Sequence, residues 1–293
     1  RSETVYEEAS FVPGLLRRYR PRDFDITATC SYPFTNWVLR RPSLRGIRPP
    51  HVFITQNGDW PAQSDKSEYR LFGCEGLVCT NPDYYERNHL LWPSALIPNG
   101  IDVNLFRPGA SAREKFGLPE NVPVVLMVSA LIPSKRVADG ILAVSKLPGA
   151  HLVVAGDGPL RDEIRQMASD LLPGRFTRVS VAGHEMPLLY RSADVFLHLS
   201  KEESFGNVYI EAMACGLPIV GHDTPRLRWI VGDDEFLVDT VDSDAVAARL
   251  TEAQSGSGAQ RKARLIRSSD FSWARVAAKY RTFFEQVISS QAR

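Results

Sequence analysis

An α/β fold built on parallel sheets is what this sequence predicts, and two observations carry the prediction. Short segments rich in β-branched residues and apolar on both faces recur along the chain, as strands buried between two helical layers should be. Helical patterns separate them in strict alternation, the order of a sheet covered on both sides, with ligand-binding loops at the carboxyl ends of its strands.

In the first hundred residues, Val5 to Tyr19 and Phe34 to Arg41 read as helices, and "DITATC" (25 to 30), "HVFITQ" (51 to 56), "GLVCT" (76 to 80) and "SALIPN" (94 to 99) as strands. Four strands make a short doubly wound domain, assigned to residues 1 to 106. Pro108 and Gly109 punctuate its end, and "EKFGLPENVP" (114 to 123) is a turn-rich approach to the next strand. The second domain, residues 107 to 271, alternates more regularly. Its strands are "PVVLMVSA" (123 to 130), "HLVVAG" (151 to 156), "RVSVAG" (178 to 183), "VFLHLS" (195 to 200), "PIVGHD" (218 to 223) and "EFLVD" (235 to 239). Its helices are Lys135 to Leu147, Leu160 to Leu171, Met186 to Ala193, Asn207 to Cys215 and Asp242 to Gln254, and "SGSGA" (255 to 259) is a short flexible loop. The last segment, 272 to 293, is one amphipathic helix. Its Trp273, Val276, Ala277, Tyr280, Phe283, Phe284 and Val287 form a wide apolar stripe that must be docked on something.

Composition narrows the function. The 293 residues are 44% hydrophobic and 24% charged, an ordinary globular balance, and 35 basic against 34 acidic residues leave no global field that calls for nucleic acid. Cys30, Cys74, Cys79 and Cys215 show no CxxC spacing, which argues against zinc or redox chemistry and for a reducing compartment. No apolar run approaches the roughly 18 residues a membrane span needs, and no signal peptide opens the chain, so a cytoplasmic protein is expected.

Three stretches can carry chemistry. In "AGDGPL" (155 to 160), between a strand and a helix, Gly156 and Gly158 permit a tight turn and a close backbone approach to a ligand, and Asp157 is either a helix cap or a hydrogen-bond acceptor. In "SALIPSKRV" (129 to 137), Lys135 and Arg136 fall at the start of a helix, where two cations oppose the dipole. A bound diphosphate would explain them; a solvated helix rim is the alternative. In "KEESFGNVYIEAMACGLPIV" (201 to 220), Glu203 lies in the loop after a strand and Glu211 about one turn inside the next helix. A carboxylate within the apolar "VYIEAMA" is expensive unless hydrogen-bonded, and sugar or ribose hydroxyls would serve; so would a purely structural partner. Ser204, Phe205, Gly206 and Asn207 form the helix start, where backbone donors can meet an anion.

Taken together, "IPNGIDVNLFRP" (97 to 108), "SALIPSKR", "HLVVAGDGPL" and the E-x7-E element with "EAMACGLPIV" resemble the successive signatures of the retaining glycosyltransferases of family four. The resemblance implies a GT-B fold, two Rossmann-like domains facing across a cleft, with the first domain incomplete at its amino terminus and the final helix returning to it. It implies a nucleoside diphosphate sugar donor, no cofactor, and metal-independent transfer of a hexose with retention, the leaving diphosphate lying close to the incoming acceptor oxygen. Glu203 is assigned by it to the transferred sugar's hydroxyls and Glu211 to the ribose, while Lys135 matches the family lysine. The implied catalytic set is Glu203, Lys135 and Asn57, and the donor set is Arg136, Gly156, Asp157, Gly158, Phe205, Gly206, Asn207, Val208 and Glu211.

There are departures. Ser129 and Ala130 stand where the family has Gly-Arg, with Arg136 the candidate replacement. Asn57, beside Gln56 in "ITQNG", stands where a histidine is common, and asparagine cannot shuttle a proton. The early strands and the glycine-rich loop that helps form the acceptor side are missing, which makes loss of the preceding part the expectation. The implied acceptor is a glycan, a lipid-linked molecule or a small molecule. The basic "LLRRYRPR" (15 to 22) would suit peripheral contact with an anionic membrane at its inner face. A non-catalytic nucleotide-sugar or glycan binding protein on the same scaffold is the alternative, and phosphorylase chemistry finds no sequence context for a pyridoxal phosphate lysine.

Overall fold

In the computed structural model, residues 2–41, 48–63, 69–233 and 235–291 are described. The chain divides into two compact units, Arg1–Asn99 with Ala274–Arg293, and Gly100–Trp273.

The first unit is built from α1 (Ser2–Arg18), β1 (Thr27–Thr29), α2 (Phe34–Leu39), β2 (His51–Ile54), α3 (Trp60–Gln63), β3 (Gly76–Cys79), α4 (Pro82–Asn88) and β4 (Ser94–Leu96). Its four strands are parallel and lie in sequence order, β1-β2-β3-β4. All four occupy segments that the sequence marks as strands. Side chains alternate between faces, as a pleated sheet requires: Val52 and Val78 enter one core, Phe53, Leu77 and Cys79 the other.

The second unit comprises β5 (Val124–Val128), α5 (Val137–Ser145), β6 (His151–Ala155), α6 (Arg161–Leu171), β7 (Phe176–Val179), α7 (Met186–Arg191), β8 (Val195–His198), α8 (Asn207–Cys215), β9 (Ile219–His222), α9 (Pro225–Val231), β10 (Phe236–Val238), α10 (Ser243–Gln254) and α11 (Gly258–Ser269). Its six strands are all parallel in the order β10-β9-β8-β5-β6-β7. Val124, Leu126, Val153 and Phe196 pack on one face with α7, α8 and α9; Val125, Met127, Leu152 and Leu197 pack on the other with α5, α6 and α10. Burial on both faces is why these strands read as unbroken apolar runs.

The last helix, α12 (Trp273–Gln291), belongs to the first unit along almost its whole length: Val276, Phe283 and Val287 are buried against Val52, Val78 and Ile97. The stripe is narrower than its sequence suggests, because Trp273 and Ala277 are exposed.

Several boundaries differ from the sequence expectation for definite reasons. The first unit gives way at Gly100, not after Phe106. Ile101 is buried in the second unit's core, and its backbone pairs with Ser272 and bonds to Phe271 and Trp273. The helix expected from Lys135 starts at Val137, because Pro133–Lys135 forms a tight 3-10 turn and Arg136 takes a left-handed φ of 54°. The strand expected at 178 to 183 lies at Phe176–Val179, where pairing with Leu152–Ala155 fixes it. Helix α8 falls where expected, opened and closed by left-handed Gly206 (φ 93°) and Gly216 (φ 88°).

Candidate active site

Strand order decides where chemistry concentrates. In the six-stranded sheet β5 and β8 are neighbours, but β5 feeds α5 on one face and β8 feeds α8 on the other. The two outgoing loops therefore part and leave a crevice at the carboxyl edge, the place where parallel α/β sheets bind ligands. Lys135 comes from the loop after β5 and Glu203 from the loop after β8.

The two meet directly. Lys135 Nζ forms an ion pair with Glu203 Oε1, and His198 Nε2, at the end of β8, lies 2.8 Å from the same oxygen. Arg226, at the start of α9, donates to the backbone carbonyl of Glu203. Burial alone would push the Glu203 carboxyl up, but hydrogen bonds from His198 and Lys135 outweigh it and hold the pKa down at about 2. Glu203 is thus a fixed anion at neutral pH, able to accept hydrogen bonds and unable to donate a proton. His198 is a rigid partner: its ring is buried, stacked on Phe196 at 6.2 Å and met edge-on by Tyr209 at 5.1 Å.

Arg136 sits beside Lys135 but looks inward. Its guanidinium bonds to Asp139, to the Leu199 carbonyl and to both the hydroxyl and carbonyl of Thr240. These bonds tie the loop after β5 to the ends of β8 and β10, so most of the donors that a diphosphate would need are committed to the protein.

The glycines of "AGDGPL" have a structural reason. A Cβ on Gly156 would stand 1.9 Å from the Ser129 carbonyl oxygen, and one on Gly158 would stand 2.5 Å from that of Leu131. Backbone bonds from Leu131 to Asp157 and from Leu160 to Leu131 lock the two loops together. The close approach the glycines permit is therefore loop against loop. Asp157 does not occupy the N-cap of α6, which is Leu160; its carboxylate takes Arg161 and the Gly158 amide.

Along α8, Phe205 is buried against Trp229 and Phe271, so only its backbone can face a ligand. Val208 packs partly on the same core, whereas Asn207 is exposed on the first turn. By helix geometry, first-turn amides such as that of Val208 have no carbonyl one turn earlier within the helix. Glu211 has a structural partner: the hydroxyl of fully buried Tyr190 donates to Oε2 at 2.7 Å. Burial raises the Glu211 pKa, and the Tyr190 hydrogen bond offsets part of the rise. Asn57 belongs to the first unit, exposed on the turn that follows β2.

The structure thus brings Lys135 and Glu203 into contact and adds three side chains that sequence reasoning missed: His198, Arg226 and Tyr190. Only His198 left a signal, as a polar residue inside the apolar "VFLHLS". Among the described residues no group of three His, Cys, Asp or Glu side chains is placed to hold a metal ion.

Two doubly wound parallel units, one with its loops gathered at a switch point, are the architecture of GT-B proteins. Solved structures share it: sucrose-phosphate synthase from Thermosynechococcus elongatus (TM-score 0.77, 23% identity, 96% of this chain and 79% of that one) and Anabaena HepE in complex with UDP and glucose (TM-score 0.71, 20% identity, 97% and 81%). The chain belongs to the family described as Glycosyl transferases group 1, whose profile matches residues 110–268. Similar curated proteins include the lipopolysaccharide core biosynthesis glycosyltransferase LpsE of Rhizobium meliloti (32% identity over 222 residues, 74% of this chain and 63% of that protein). Another is the GDP-mannose-dependent alpha-(1-6)-phosphatidylinositol monomannoside mannosyltransferase of Mycolicibacterium smegmatis (32% over 207 residues, 62% and 54%). The chain thus spans less than two thirds of each of these curated relatives.

Proposed function

We propose that this protein is a retaining, metal-independent glycosyltransferase that moves a hexose from a nucleoside diphosphate sugar to a glycan, lipid-linked or small-molecule acceptor. The observation that carries the reading is the Lys135–Glu203 pair at the switch point of the second sheet, anchored by His198. A relative named for GDP-mannose and a fold neighbour crystallised with UDP and glucose support a nucleotide-sugar donor.

In this mechanism Lys135 turns from Glu203 to the donor diphosphate and balances the charge that grows there as the anomeric C–O bond breaks. Glu203, relieved of one cation but still held by His198, accepts hydrogen bonds from the sugar hydroxyls. The acceptor hydroxyl attacks from the side of the leaving diphosphate, which takes its proton, leaving a glycoside and a nucleoside diphosphate. Glu211, with Tyr190 on one oxygen, is proposed to take the ribose. Gly206, Asn207 and Val208 offer the helix start to phosphate, and Gly156, Asp157 and Gly158 shape the adjoining loop. Asn57 is proposed to hydrogen-bond on the acceptor side. Arg136 acts as the brace of the Lys135 loop. Contact with an anionic membrane is proposed for α1 and the residues after it, where Phe11 and Leu16 are exposed beside Arg17, Arg18, Arg20 and Arg22.

Calorimetry with UDP-, GDP-, ADP- and dTDP-sugars tests the reading, followed by an assay for transfer or slow donor hydrolysis. Binding of at least one donor, with turnover that disappears in Glu203→Ala, is expected. If no nucleotide sugar binds, the reading fails; tight binding with no turnover on any acceptor would favour the non-catalytic alternative.

A further inference from the structure

We propose that the second unit carries a separate binding site for a phosphate group, at the end of its sheet opposite the switch-point crevice. A cleft of about 350 Å³ opens there, lined by the residues that precede β8 and β9, the carboxyl ends of α8 and α10, and the start of α11. The four residues of β8 alone put ~13 Å between it and the loop of Glu203.

Arg264 is the group that points to a ligand. Its side chain is only 3% exposed, and its Nε bonds to the Glu235 carboxylate, yet its terminal Nη2 is buried with no hydrogen-bond partner. A buried guanidinium N–H without an acceptor is costly and rare. That nitrogen reaches toward Gly256 in the cleft wall, where an added Cβ would come within 3.9 Å of it. The acceptors that share the surroundings of Gly256 have other donors: the Ala253 carbonyl takes the Gly256 amide and Gln260 Oε1 takes the Ser257 amide.

Charge and helix geometry point the same way. Arg261 lies one turn before Arg264 on the same side of α11 and also lines the cleft, its guanidinium so close over Gly216 that a Cβ there would meet Nε at 2.9 Å. Arg264 is paired with Glu235, but among the described residues no ion pair reaches Arg261, and like charges three positions apart on a helix repel each other. An anion between them and the α11 start would relieve that repulsion. Carboxylates do not fill that role. Asp194, in the wall, is taken by Arg113 and the Val124 amide, and Glu235 by Arg264 and the Ile219 amide. Arg191 adds a further guanidinium, bound to the carbonyls of Leu105 and Arg107. Three guanidinium groups, those of Arg191, Arg261 and Arg264, therefore line a cleft whose one lining carboxylate, Asp194, is already paired with Arg113. A phosphate, tetrahedral and up to doubly charged, offers the several acceptor oxygens this arrangement can use.

Calorimetry and thermal-shift titrations with inorganic phosphate and with glycerol 3-phosphate, against sodium chloride at equal ionic strength, test the proposal. Two variants separate this cleft from the switch-point crevice. Saturable binding is expected to survive in Lys135→Ala and to weaken at least about tenfold, or about 1.4 kcal/mol, in Arg261→Glu, whose substituted side chain is exposed and leaves the core intact. Arg264→Met should lose the same binding, and Arg261→Glu answers the question if that variant does not fold. Tighter binding of glycerol 3-phosphate than of phosphate would identify a phosphorylated metabolite as the natural ligand, and equal binding the free ion. Absence of binding to either probe, loss of all binding in Lys135→Ala, or unchanged binding in folded Arg261→Glu would each overturn the proposal.

Discussion

Glu203 and Lys135 satisfy each other before any donor arrives, and His198 keeps the carboxylate in place when Lys135 leaves it. His198 is therefore a positioning residue, with a signature distinct from simple loss of structure. In His198→Ala the Glu203 carboxyl loses a hydrogen bond that favours its charged form, so its pKa rises from about 2 toward the ordinary 4.5. The acid limb of the transfer rate should move to higher pH, and His198→Gln, which restores a donor, should move it back. An acid limb that stays fixed in His198→Ala would remove His198 from this role. Lys135→Ala is expected to cut turnover by about 10² to 10³, the usual cost of one oxyanion-stabilising donor, read as kcat in a donor-hydrolysis assay. Stability follows from the same shift. A carboxyl whose pKa is lowered on folding contributes stability above pH 4.5 and loses it as pH falls toward 2, so Glu203→Gln should flatten urea-derived stability within that window. Sequence alone exposed Glu203, Lys135 and Glu211 because their motifs are local. It did not expose the partners, since whether Tyr190 reaches Glu211 or Arg226 reaches Glu203 depends on which helices become neighbours.

At the scale of elements, two loops after β5 and β6 are packed so closely that backbone touches backbone. Gly156→Ala puts a methyl 1.9 Å from the Ser129 oxygen, an overlap that only a backbone shift relieves. We expect a loss of about 2 to 3 kcal/mol in urea denaturation, with donor affinity falling as the Lys135 loop moves. Arg136→Ala should behave differently. It removes a brace of hydrogen bonds to Asp139, Leu199 and Thr240, and a stability loss of about 1 to 3 kcal/mol with a modest change in donor affinity is expected. A donor affinity that collapses while stability stays intact would show instead that the guanidinium serves the phosphate. The start of α5 illustrates why such details escape a sequence reading: an apolar period suggested a helix from Lys135, but Pro133 and the left-handed Arg136 hold the chain in a turn until Val137. Helices α4 and α9 carry readable start signals, Asn81-Pro82 and Thr224-Pro225, but each has only seven residues, too few for a clear period. Strand β7 lies earlier than its apolar pattern suggests because its residues are only partly buried, leaving the pairing with β6 to set its register.

Across the whole molecule, alternation of strand and helix was legible and strand order was not. The order follows from which face each connection crosses, and the sequence records that only through packing. What could be read was the last helix's need for a partner, and its partner lies within the first unit. The chain thus leaves that unit at Asn99, builds the second, and returns at Ala274 to complete the first core. Completion of that kind predicts an uneven response to damage. Phe283 is buried with Val276 and Val287 against Val52, Val78 and Ile97, and its ring also closes on Gly76, where a Cβ would meet it at 3.0 Å. Truncating it to alanine should cost about 3 to 5 kcal/mol, because the surrounding β-branched side chains cannot collapse into the space of a ring. The loss belongs to the first unit. Lys135, Glu203 and His198 belong to the second unit, so nucleotide binding by Phe283→Ala, measured by calorimetry well below the unfolding temperature, should match the parent protein even as hydrogen exchange in β2 and β3 accelerates. Equal loss of protection in β5 and β8 would mean that the two units fold as one cooperative body and that the returning helix stabilises both.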